Sequence, residues 1–209
     1  MESSITTKLE QFFSEYPLRH YKKGDTLVFA DNAVPPVFFL AKGRVGQYDI
    51  AETGNKVTLN IFNTAAFFPM SNAINLTPNT HFYEALEDVE VHVAPAPAVV
   101  EFIQSNPTVQ FDLLARLYRG VDGLLGKITQ LMSGTAHARL LLELTVAARR
   151  FGEEQSDGLY LIHFTEMQLA QQTGLARETV SRELQKMKQS GTVTHTKAGL
   201  KIRLDVQAL

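Results

Sequence analysis

The chain has 209 residues, with 20 Lys and Arg against 22 Asp and Glu, a formal net charge of −2, and neither cysteine nor tryptophan. At roughly 100–200 residues per domain it makes one large domain or two small ones, and 44% apolar residues are enough for a real core. Without cysteine, disulfides, thiolate-held zinc and iron–sulfur clusters are excluded.

The opening MESSITTKLEQFF has no basic start followed by an apolar run, so no signal peptide is expected. The apolar runs also fall short of the ~20 residues of a membrane span, which predicts a soluble, cytoplasmic protein with no membrane partner. Ser3 or Ser4 can cap a short helix to about Phe13, with Ile5, Leu9, Phe12 and Phe13 on one face. From Leu18 to Ala94 short apolar stretches alternate with turn signals. The predicted strands are 27–30, 37–41, 45–50, 56–62, 81–85 and 89–94, separated by KKGD, DNAVPP, KG, ETGN and NLTPN. So many short strands without helices between them predict an antiparallel roll or barrel. Pro97 suits the first residue of a helix to about Gln104.

After Asn106-Pro107 a helix is predicted over about 108–132. Leu114, Leu117, Val121, Leu124, Ile128 and Leu131 are spaced 3, 4, 3, 4, 3, a heptad seam suited either to a dimer or to packing within the domain. Gly120, Gly123 and Gly126 each cost ~1 kcal/mol inside a helix. They imply close approach of another backbone or a deformable helix. Ser133-Gly134 breaks the helix, Thr135 caps the next one to near Gly152, and a polar link leads to a strand over 159–164.

The segment TEMQLAQQTGLARETVSRELQKMKQSG, 165–191, carries the clearest function. Thr165 and Gln168 form a capping box, Gly174 supplies a left-handed turn residue, and a second helix starts near Arg177 with Val180, Leu184 and Met187 inward. Two short helices joined by a tight turn make a helix-turn-helix. VTHT, a KAG turn and LKIRL follow as a two-stranded wing. Charge sharpens the picture: residues 1–132 carry 10 basic and 14 acidic side chains, residues 133–209 carry 10 and 8. Arg177, Glu178 and Arg182 face away from the apolar stripe, where arginine can donate twice to guanine and glutamate can accept from cytosine. Thr165, Thr179, Ser181, Lys186, Lys188, Lys197 and Lys201 suit phosphates, which position without specifying. Double-stranded DNA is the expected partner, and no catalytic residues are expected.

GLARETVSREL, preceded by TEMQLAQQ and followed by a basic hairpin, resembles the helix-turn-helix of the Crp/Fnr family of bacterial transcription regulators. FFLAKGRVGQYDIAETGNKVTLNIF, then FYEALEDVEVHVA, then a long helix, follow that family's order of parts. The resemblance implies an α+β chain: an antiparallel β-roll like a cyclic-nucleotide-binding domain (1–106), a dimerisation helix (107–133) and a winged helix-turn-helix (134–209). It further implies a homodimer seamed by the six heptad residues, with RNA polymerase as a partner. Arg177, Glu178 and Arg182 would read TGTGA-like half-sites of an inverted repeat.

The family's cyclic-nucleotide binders hold the ribose with a Gly-Glu pair and the phosphate with Arg-Ser or Arg-Thr. Pro69 and Met70 stand in place of the first pair, Asn79 and Thr80 in place of the second. Without the arginine a phosphate lacks its charge-assisted bond, so cyclic AMP is not expected by the usual contacts. Cysteine-held iron–sulfur sensing is excluded, and nothing supports haem beyond His81 and His92 on strands. No cofactor is predicted, and the effector is left open. If the roll does hold one, Phe68, Met70, Asn79, Thr80 and Phe82 are the candidate lining, although the aromatic group Phe62, Phe67, Phe68, Phe82 and Tyr83 suits a core. Ala176 replaces the serine usual at the recognition helix's N-cap. The alternative is a cupin-like metal enzyme, which needs clustered histidines; the six here are scattered.

Overall fold

The computed structural model describes residues 2–30, 33–52, 54–196 and 198–203, except for the side chains of 2–4 and 133. The chain divides into two compact units, 1–119 and 120–209. The division falls inside the long helix rather than at either of its ends.

The first unit begins with α1 (Glu2–Phe13) and continues through β1 (Leu18–Tyr21), β2 (Thr26–Val28), β3 (Val37–Lys42), β4 (Val45–Ile50), β5 (Lys56–Phe62) and β6 (Phe67–Phe68). A short helix α2 (Met70–Asn75) interrupts the strands before β7 (Phe82–Ala85) and β8 (Val89–Ala94). These strands form two four-stranded antiparallel sheets, β1-β8-β3-β6 and β2-β7-β4-β5. Phe38, Leu40, Phe68, Val89 and Val91 of the first meet Val28, Val45, Tyr83 and Ala85 of the second in one core. The alternate residues of β3, Val37 and Phe39, pack with Leu9 and Phe13 of α1 and with Val99 and Ile103 of α3 (Ala96–Ser105). Both faces of β3 are therefore covered, which is why VFFL reads as an unbroken apolar run. Phe13 stacks on Phe39 at 4.8 Å, and Phe12 on Phe102 at 4.0 Å. α3 starts at Ala96, one residue before the expected Pro97, which falls in its first turn.

The long helix α4 spans Pro107–Ser133 without a break. A Cβ built on Gly120, Gly123 or Gly126 meets nothing within 4 Å. Close approach by another backbone among the described residues is therefore not why they are glycine.

The second unit contains α5 (Ala136–Phe151), β9 (Glu153–Glu154), β10 (Tyr160–Ile162), α6 (Glu166–Thr173), α7 (Arg177–Gln189), β11 (Val193–His195) and β12 (Leu200–Ile202). The Thr135 hydroxyl accepts from the Ala138 amide and caps α5 as expected. Leu140 and Leu144 of α5, Leu169 of α6 and Val180, Leu184 and Met187 of α7 are all buried. The wing is larger than its sequence suggests: β10 pairs with β12, giving a sheet ordered β11-β12-β10-β9. α5 is fastened to the end of α4, where Lys127 Nζ lies 3.0 Å from the buried Glu143 carboxylate. Arg139 also donates to the carbonyls of Gln130 and Leu131 in the last turn of α4, the first of which also accepts from the Gly134 amide.

Candidate nucleic-acid interface

The helix pair α6–α7 is built from local chemistry. Thr165 Oγ1 accepts from the Gln168 amide at 3.2 Å, and Gln168 Oε1 accepts from the Thr165 amide at 2.8 Å. Both groups would otherwise be orphans at the helix start. Gly174 takes the left-handed conformation, φ 68°, that ends α6 and turns the chain. Ala176 caps α7 without any side-chain hydrogen bond.

Over the buried stripe Val180, Leu184 and Met187, the side chains of Arg177, Glu178, Ser181 and Arg182 stay exposed at the start of α7. Three of the four are long and polar, and they lie within six residues. That is the donor and acceptor set that a major groove can accept. Arg177 Nε sits 3.6 Å from Glu166 Oε2, across the turn on the first helix. The Arg182 and Lys188 side chains have no ion pair among the described residues.

The residues expected at phosphates are placed less uniformly. Ser181 and Lys188 are exposed, and Thr179 is half-buried. The Thr165 hydroxyl is committed to its cap. Lys186 pairs with Glu183 at 2.7 Å but keeps most of its side chain in solvent. Lys201 is turned onto its own unit, 2.9 Å from Asp157 with the side chain 24% exposed, so its charge is partly answered already. Lys197 lies outside the described residues, as does the last residue expected in the wing strand. Missed in the sequence were the acidic partners. Glu183 is buried on α7 between Lys186 and His137, whose Nδ1 is 3.4 Å away. The Lys186 hydrogen bond, helped by His137, holds its carboxyl below the ordinary glutamate range. Glu166 and Asp157 likewise answer cations distant in sequence, a pairing that no periodicity signals.

The heptad residues of α4 are all solvent-facing, between 40% and 60% exposed. Beside them runs a second exposed row that the seam did not include: Phe111, Tyr118, Leu125 and Met132, seven residues apart. The apolar stripe is thus wider than a bare two-position seam.

In the roll, the candidate effector lining does not converge. Phe68 is closed in the core, stacked on Phe38, Phe62 and Tyr83. Asn79 is fully buried, its Nδ2 donating to the carbonyls of Phe29 and His81 while Oδ1 accepts from the His81 amide. Met70 packs against the α1–α3 core, Phe82 stacks on Tyr48, and Thr80 faces solvent. The five residues do not share one lining: Asn79 has its polar atoms on the backbone of Phe29 and His81, and Phe68 fills the space between the sheets. A cavity of about 440 Å³ lies elsewhere, among α2, α3 and the start of α4, lined by Ile74, Val100, Ile103, Gln104, Phe111 and Leu114. His92 Nδ1 bonds the Tyr16 carbonyl, and His81 Nδ1 faces Asp49 at 3.8 Å. Among the described residues no three His, Asp or Glu side chains gather as a metal site, and no helix is long and apolar enough to cross a membrane.

Comparison with known proteins matches both units. Residues 18–106 match the cyclic nucleotide-binding domain family and residues 137–209 the Crp-like helix-turn-helix domain family. The global nitrogen regulator of Synechococcus elongatus is 23% identical, over 90% of this chain and 88% of its own length. The cAMP-activated global transcriptional regulator CRP of Pasteurella multocida is 25% identical over 87% of each. In fold, the chain is similar to the c-di-GMP responsive global regulator CLP of Xanthomonas campestris, with a TM-score of 0.79 and 13% identity over 95% of this chain and 99% of that one. These relatives are transcription regulators, not enzymes.

Proposed function

The chain belongs to the Crp/Fnr family of DNA-binding transcription regulators, and from that premise we propose that it works as a homodimer reading an inverted repeat. The observation that carries the reading is the exposed Arg177, Glu178 and Arg182 on a helix anchored by buried Val180, Leu184 and Met187. By the family resemblance, Arg177, Glu178 and Arg182 would read a TGTGA-like half-site, each good base contact discriminating by ~1–3 kcal/mol. The six exposed heptad leucines, isoleucine and valine of α4 support dimerisation, since an apolar stripe of that length needs a partner. A symmetric dimer would present two α7 helices about one DNA turn, ~34 Å, apart. RNA polymerase would be the protein partner of such a regulator.

We further propose that cyclic AMP is not held in the family's usual way. Where a phosphate-binding arginine would stand, Asn79 is buried and bonded to the backbone of Phe29 and His81. The same reading needs no haem or other cofactor. Selection of bound duplexes from a random pool tests the proposal. The expected product is an inverted repeat with TGTGA-like halves, recovered equally well with and without cyclic AMP. A pool with no enriched motif would overturn base reading, and enrichment only with cyclic AMP would overturn the account of the roll.

A further inference from the structure

We propose that Glu166 is a positioning residue for base reading: its carboxylate engages Arg177 from the neighbouring helix and so aims the arginine's free end at the DNA. The inference rests on the reading of α7 as the base-reading helix. Arg177 is the first residue of α7, and its side chain is 61% exposed. A cation there gains nothing from its own helix, whose N-terminal end is itself positive. A long exposed arginine also samples many rotamers, and each must be given up on binding. Glu166 answers both problems. It is the first residue of α6, held in place by the Thr165–Gln168 capping box, and its Oε2 lies 3.6 Å from Arg177 Nε.

Contact at Nε leaves the two terminal nitrogens of the guanidinium unused. Guanine O6 and N7 are recognised by just such a pair of parallel N–H groups. The carboxylate therefore draws the stem by charge, without a hydrogen bond, while leaving the fork open. Arg182, one and a half turns further along the same helix, provides the contrast, because it has no ion pair among the described residues. The two arginines meet DNA in different states, one held from behind and one free. A carboxylate this close to a DNA-facing surface also repels phosphate, so a purely electrostatic role makes the opposite prediction.

The experiment measures affinities of the full chain for the selected duplex and for a panel carrying each single base-pair change, using wild type, E166Q, R177A and E166Q/R177A. E166Q keeps the capping box, and E166D serves as the conservative rescue; circular dichroism and melting check each fold. Positioning predicts that E166Q loses about 3- to 10-fold in discrimination only at the base pair where R177A also loses it. It predicts no further loss in the R177A background, an unchanged salt slope, and recovery in E166D. If E166Q instead binds every duplex more tightly by one factor, with a steeper salt slope, Glu166 acts only as a charge near phosphates and the proposal falls. No change in E166Q overturns it as well. A wild-type protein that discriminates no base pair overturns the reading of α7 itself.

Discussion

Asn79 in the roll is buried and bonded to the backbone of Phe29 and His81, whereas Arg182 in the head stands exposed above a buried apolar stripe. Both are polar residues that the sequence offered for a ligand contact, and they stand in opposite surroundings. In the roll, aromatic side chains occupy the space between the sheets, and the polar group stabilises a loop. In the head, buried apolar side chains hold α7, and Glu178, Ser181 and Arg182 stay exposed above them. The roll thus packs aromatic side chains between its sheets, while the head leaves the polar side chains at the start of α7 exposed.

The largest effect expected to sharpen this contrast is Leu184→Ala, which empties a buried position under α7. It should cost about 3 kcal/mol of head stability, seen as an earlier denaturation transition, with the roll's own transition unmoved. Next is Arg182→Ala, which removes an exposed donor that nothing in the described chain uses. Affinity for the selected duplex should fall by about 1–3 kcal/mol while the melting temperature stays put. Asn79→Ala should do the reverse. It leaves two carbonyls and an amide without their partner, costing about 1–2 kcal/mol of stability, with DNA affinity unaltered in the folded protein. An Asn79→Ala variant that melts normally but binds DNA differently would break the comparison.

Gly123→Ala falls on the exposed part of α4. Space is open around it, so the substitution should stabilise α4 by about 1 kcal/mol, read as a higher melting temperature. The smallest effect concerns pH. Glu183 has its carboxyl held low by Lys186 and His137. Its contribution is complete above the ordinary glutamate value of 4.5 and fades as pH falls through the lower native one. Glu183→Gln should therefore flatten the acid dependence of head unfolding below about pH 4.5, measured by denaturation at several pH values.

What could be read from the sequence was what is local. The capping box of Thr165 and Gln168, the Gly174 turn and the 4, 3 spacing of Val180, Leu184 and Met187 each lie within a few residues, and each is found in place. β4, β5 and β8 begin and end where their alternation says. β1 was missed because LRHY has little apolar alternation and pairs with a strand some seventy residues away. α2 was missed because its six residues start without a side-chain cap. The fate of Asn79, the turn of Lys201 onto Asp157 and the carboxylate behind Arg177 all depend on contacts distant in sequence. Residue type alone suggested an effector lining and a phosphate contact; it could not show that Asn79 bonds the Phe29 carbonyl or that Lys201 pairs with Asp157.

Equilibrium binding of the purified chain to the selected inverted repeat and to a shuffled duplex of the same composition, across a salt series with and without cyclic AMP, is the most direct measurement. The repeat should bind on the order of 10³-fold more tightly than the shuffled duplex at moderate salt, both affinities should fall as salt rises, and cyclic AMP should change neither. Equal affinity for the two duplexes would contradict base reading by α7, and a repeat bound only when cyclic AMP is present would contradict the closed interior of the roll.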